Sequence, residues 1–92
     1  MPQVFKIGSF LIYFWSNEGK PLEPVHVQIS DGVPSPNTTK VWITKSGHTL
    51  LCNNNSNIPN KKLGIILKTI SARSNEIITK WKDYFGEISY YC

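Results

Sequence analysis

Cysteine, methionine and acidic residues are all scarce in this chain. Cys52 and Cys92 are the only cysteines of 92 residues, too few for the disulfide framework of a small secreted domain. No apolar run is long enough to cross a bilayer, and the longest aromatic stretch, Phe10 to Trp15, ends at Ser16-Asn17. No leader pattern stands at the amino terminus, so the expectation is a reduced, cytoplasmic protein with no membrane partner. Only six Asp and Glu are present, which leaves no pair of carboxylates spaced for acid–base work. The glycines are scattered singly, so no glycine-rich loop cradles a phosphate. A nucleophile elbow, a Cys-x-x-Cys pair and an internal repeat are missing too.

What is present is apolar and basic. Aliphatic, aromatic and sulfur residues make up 40% of the chain, enough for one core and too many for disorder. The length fits a single domain over 1–92, and a chain of this size buries only roughly 60–65% of its unfolded surface. The net charge is +4, carried almost wholly by residues 60–86. There Lys61, Lys62, Lys68, Arg73, Lys80 and Lys82 face Glu76 and Asp83. A basic half suits an acidic partner, protein or nucleic acid; the plainer reading is a solvated helix face.

Periodicity divides the chain in two. Val4–Ile7, Phe10–Trp15, Val25–Ile29, Thr39–Thr44 and His48–Cys52 read as strands, separated by Gly8-Ser9, the Ser16–Pro24 loop, Asp31-Gly32 with Pro34–Asn37, and Ser46-Gly47. Asn53–Asn57 reads as an ordered turn, because asparagine bonds its own backbone and tolerates positive φ. Beyond it, Leu63, Ile66, Leu67 and Ile70 recur at helical spacing, as do Ile77, Ile78, Trp81, Tyr84 and Phe85. Asn60 and Ser74 are the candidate N-caps, with Pro59 at the first helical position as the alternative for the first helix. A break falls in Ser71–Asn75, Gly86 ends the helical half, and the tail 87–92 docks as an extended piece. The expected fold is α+β: an antiparallel sheet of four or five strands, then two helices or one kinked helix packed on one face.

If Val25, Val27, Ile29, Val41 and Ile43 face the helices, then His26, Gln28, Lys40, Trp42 and Thr44 share the other side of the sheet. An aromatic ring with a cation and an imidazole can stack a base and meet a phosphate. His26, Gln28, Lys40 and Trp42 are therefore the candidate binding face. The bland alternative has Trp42 covered by the hairpin or the tail, and His26 satisfied by a backbone carbonyl. A metal set from His26, His48 and Cys52 lacks supporting spacing, and a metal-free nuclease site would draw on His26, Lys40 and Arg73. Neither carries enough to assign a catalytic residue, a metal or a cofactor.

Several separated segments resemble one family of small bacterial proteins. They are Met1-Pro2 with Val4 and Lys6, the aromatic strand ending at Ser16-Asn17, Glu23–Val27, Thr39–Ile43, Asn54–Pro59 without Asn57, and Trp81 with Tyr84-Phe85-Gly86. The family is the domain-of-unknown-function family forty-one sixty, and the resemblance runs from Met1 to about Gly86. It implies a protein encoded beside a small partner, in some members within a toxin–antitoxin-like pair. The family's Pro-x-His-x-His pattern is halved here, since His26 matches the first histidine and Gln28 stands where the second would be. Gln neither titrates nor ligates a metal well. The reading is accordingly a non-enzymatic interaction module with a small cognate protein partner. The alternative is a nucleic-acid-binding protein or ribonuclease-type toxin using the His26/Lys40/Trp42 face, and a homodimer is compatible with either.

Overall fold

A computed structural model describes residues 3–15, 22–35 and 37–92. Five strands, β1 (Gln3–Ile7), β2 (Phe10–Tyr13), β3 (His26–Asp31), β4 (Thr39–Ile43) and β5 (Thr49–Asn53), precede two helices, α1 (Asn60–Ala72) and α2 (Ser74–Phe85). The strands form one sheet in chain order, β1-β2-β3-β4-β5, with every neighbour antiparallel. The α+β expectation holds. Three of the four connections are too short for a parallel crossover, which favours a simple meander. The Ser16–Pro24 loop lies outside the described residues as far as position 21, as does Pro36.

The pleat sorts side chains as the alternation required. Val27 pairs with Val41 and Ile29 with Ile12. These four join Phe5, Phe14, Val25 and Ile43 in the layer under the helices. Leu63, Ile66, Ile70, Ile77 and Trp81 close that layer from the helical side. Phe14 and Trp81 lie 5.0 Å apart by ring centroid, with Phe85 4.6 Å from Trp81.

Several boundaries differ from expectation: β1 starts at Gln3 rather than Val4, β3 runs on to Asp31, β4 ends at Ile43 rather than Thr44, and β5 ends at Asn53 rather than Cys52. β2 ends at Tyr13 rather than Trp15, and β3 and β5 each start one residue later than alternation suggested. Pro59 is the N-cap of α1 and Asn60 its first helical residue. Arg73, not Ser74, is the N-cap of α2, because the break is a single residue and Ser74 already has helical backbone. Arg73 fixes that junction in two ways. Its guanidinium donates to both Glu76 carboxylate oxygens, at 2.6 and 2.8 Å, and lies 3.9 Å from the Phe5 ring centroid of β1. The Arg73 guanidinium holds the Glu76 carboxyl below the usual carboxylate range, chiefly through those hydrogen bonds. Gly86 ends α2 in the left-handed region, at φ 75°.

The asparagine-rich turn is pinned rather than loose. Asn54 Oδ1 accepts from the Ile58 N–H at 3.1 Å and from Thr39 Oγ1 at 2.8 Å. Its Nδ2 donates to the Ile58 carbonyl at 3.0 Å. Ser56 donates to the Ile29 carbonyl of β3 and accepts from the Thr39 N–H of β4. Asn57 takes φ 55°, a conformation that asparagine tolerates better than most residues. The turn is thereby stitched to the two central strands at the point where the chain leaves the sheet for α1.

Candidate functional site

The register sets His26 beside Trp42 and Gln28 beside Lys40, with Tyr13 on the other side of Gln28; His26, at the start of β3, also reaches Trp81 of α2. All four candidate residues therefore meet on one patch. His26, Gln28 and Lys40 line a cleft of about 200 Å³ together with Trp15, Glu23, Thr38 and Asn53. That volume falls below the roughly 300–1,000 Å³ of small-molecule sites.

Each candidate side chain is engaged by the protein itself. His26 is 2% exposed. Its Nδ1 stands 3.0 Å from the Pro24 carbonyl oxygen, which can only accept, so that nitrogen carries the hydrogen. The ring is wedged between Trp42 at 5.7 Å and Trp81 at 5.2 Å, edge-on to both, and so ties β3 to α2. Gln28 is likewise buried. Lys40 donates to the Glu23 carboxylate while its Nζ sits 4.4 Å above Trp42, so its charge is already matched. Trp42 is covered in turn by Tyr91, with the rings 4.8 Å apart and nearly parallel at 5°.

Tyr91 belongs to the tail, which wraps onto this side of the sheet. The Ser89 carbonyl accepts from the Val25 N–H at 2.9 Å, and the Cys92 carbonyl from the Lys45 N–H at 3.1 Å. Between those anchors the Tyr91 ring stacks on Trp42 of β4. Replacing Tyr91 by Ala is expected to lose about 0.5–1.5 kcal/mol of stacking and to move Trp42 into water. A red shift of tryptophan emission in the folded variant would show it; unchanged emission would count against the stack.

Sequence reasoning did not find Glu23, Trp15, Thr38 or Asn53. Glu23 lies in a loop whose return path no periodicity encodes. Asn53 reaches the cleft only because a bulge between Lys40 and Val41 shifts the β5 register. Tyr13 and Thr38 join through a 2.6 Å hydroxyl contact, a pairing 25 residues apart in sequence. Trp15 Nε1 is buried with no hydrogen-bond partner among the described residues. His48 and Cys52, grouped with His26 as a metal set, stay apart from it, since both are exposed on or beside β5. The described residues include no group of three metal-ligating side chains, and no described helix is long and apolar enough to cross a membrane.

The family model described as Domain of unknown function (DUF4160) matches residues 9–82. The chain belongs to that family. Neither a curated protein nor a solved structure matches it. In this DUF4160 member the matched region runs from the β1–β2 turn to the start of the last turn of α2, and takes in His26, Gln28, Lys40 and Trp42. The tail that covers Trp42 lies beyond it.

Proposed function

We propose that this chain is a non-catalytic protein-interaction module that takes an extended, acidic segment of a small partner protein onto β5. A toxin–antitoxin-like pair is the setting that the family resemblance suggests for it. The observation that carries the reading is the chemistry of the β5 edge. β5 is a terminal strand of the sheet, with its outer backbone groups free to pair with an added strand. Leu50 and Leu51, 41% and 39% exposed, point to opposite sides of it, and no residue of Thr49–Asn53 is charged. α1 packs against β5, and its only charged side chains are Lys61, Lys62 and Lys68.

Charge decides between occupants. Two copies joined antiparallel through β5 would form one continuous sheet with both α1 helices on the same side, lysines toward lysines. An acidic strand meets the same helix with attraction, which steers association and excludes the wrong partner. The His26 patch is the poorer docking surface, because Lys40 is matched by Glu23 and Trp42 by Tyr91. Base stacking there would first require the tail to leave.

The test is co-expression with the product of the neighbouring gene, followed by size-exclusion chromatography. A stoichiometric complex is expected, weakened about ten- to hundredfold by Leu50→Glu with Leu51→Glu, which adds repulsion where apolar contact was lost. Both side chains are partly exposed, so folding should change by about 1 kcal/mol or less. Lys6→Glu on the far edge, β1, should leave the complex intact. No complex, or one indifferent to the β5 changes, contradicts the reading.

A further inference from the structure

The tail beyond α2 is held in two unequal parts. Ile88 and Tyr90 are half-buried and pack on the core, and the Ser89 carbonyl between them accepts from the Val25 N–H. Tyr91 and Cys92 are exposed, Tyr91 by 59%. Among the described residues, what holds them is the Tyr91 ring on Trp42 and the Lys45 N–H bond to the Cys92 carbonyl.

Those two contacts have the character of a bound ligand rather than of core packing. The Tyr91 and Trp42 rings are stacked at 5°. No other aromatic pair among the described residues lies closer to parallel than 43°. Parallel stacking on an exposed ring is the way an aromatic platform takes a nucleobase. One residue further along, an oxygen acceptor meets the Lys45 backbone N–H. A planar ring followed by an oxygen acceptor is the outline of a nucleotide, with its base on Trp42 and its phosphate at Lys45.

The surface beneath is built independently of the tail. Trp42 stands in β4 between His26 of β3 and Leu50 of β5, with Lys40 Nζ 4.4 Å from its ring centroid. Lys45 opens a turn held by its own bonds: Gly47 N–H to the Thr44 carbonyl at 3.0 Å, and His48 N–H to Thr44 Oγ1 at 3.1 Å. The platform and the Lys45 N–H therefore keep their places when the tail departs, which is what preorganisation requires. The Lys45 ammonium adds positive charge at the phosphate end.

We infer that Tyr91 and Cys92 form a flap closing a nucleotide site made by Trp42 and Lys45. The stack and the bond together favour the closed form about ten- to hundredfold. A ligand that needs the open form has its affinity reduced by that factor. Base stacking on the bared ring returns about five- to hundredfold. The two nearly cancel, so the phosphate contact at Lys45 decides occupancy.

The inference does not depend on the β5 reading. Calorimetric titration of the full chain at low salt, with adenosine monophosphate and separately with a single-stranded oligoadenylate, tests it. Binding of both is expected to be about two- to tenfold tighter in Tyr91→Ala than in wild type. Tyr91→Phe keeps the stacking ring and should bind as wild type does. In the Tyr91→Ala background, Trp42→Leu should abolish binding, and Lys45→Ala, an exposed position that spares the core, should weaken it about tenfold. A tighter oligonucleotide assigns the site to a strand, and an equal or weaker one assigns it to the free nucleotide; both uphold the site. No saturable binding of either probe to Tyr91→Ala, affinity no higher there than in wild type, or binding indifferent to Lys45→Ala would overturn it.

Discussion

Trp81→Ala is expected to bring the chain to the edge of unfolding at 25 °C. Trp81 is fully buried and is the meeting point of α2 with β2 and β3, packed on Phe14, Phe85 and His26. Truncating a buried tryptophan costs about 3–5 kcal/mol through lost transfer energy and the cavity left behind. Small domains have about 5 kcal/mol at the low end of the usual range, so one substitution removes most of it. Trp81→Phe should be much milder than its volume change implies. The indole Nε1 has no hydrogen-bond partner among the described residues, and removing an unsatisfied donor recovers part of the loss. Circular dichroism under urea checks both: a folded Trp81→Ala with near-native midpoint would contradict the packing.

Asn54→Ala carries the second largest expected effect, about 2–4 kcal/mol. The alanine variant loses two bonds to the Ile58 backbone and the one from Thr39 Oγ1. It strands their partners in a partly buried setting, and each stranded group costs about 1–3 kcal/mol. Asn54→Asp keeps the acceptor but not the Nδ2 donor, so it should fall between wild type and alanine. Urea midpoints of the three proteins give the order. If Asn54→Ala unfolds with the wild type, the turn is not the clasp described above.

The sheet and helices were legible because their signals are local. Val25, Val27 and Ile29 alternate, and Leu63, Ile66 and Ile70 recur at helical spacing, so the strand-then-helix order followed from periodicity alone. That His26, Gln28, Lys40 and Trp42 share one face followed from the same alternation. What periodicity does not carry is what lies on that face. The Tyr91–Trp42 stack and the Lys40–Glu23 pair join residues brought together by loop paths, and the β5 bulge moved Asn53 into the cleft. Capping was misplaced for a related reason. Ser74 has the right chemistry for an N-cap, but the junction turns within one residue, so Arg73 takes the role and Ser74 becomes helical.

Taken together, the two sides of the sheet are both occupied, one by α1 and α2 and the other, around Trp42, by the tail. Its two edges are not alike. β1 carries Lys6, an inhibitory charge of the kind that blunts edge pairing, whereas β5 carries none and exposes two leucines beside a helix of lysines. This asymmetry is why recognition is assigned to β5 rather than to the aromatic patch, despite the patch's richer chemistry.

Amide hydrogen exchange of the chain alone and in complex with the neighbouring gene's product tests that assignment most directly. Strand addition predicts that outward-facing amides of Thr49–Asn53 exchange readily in the free protein and become protected in the complex, with β1 unchanged. Protection confined to His26–Trp42, or none on β5, would contradict it.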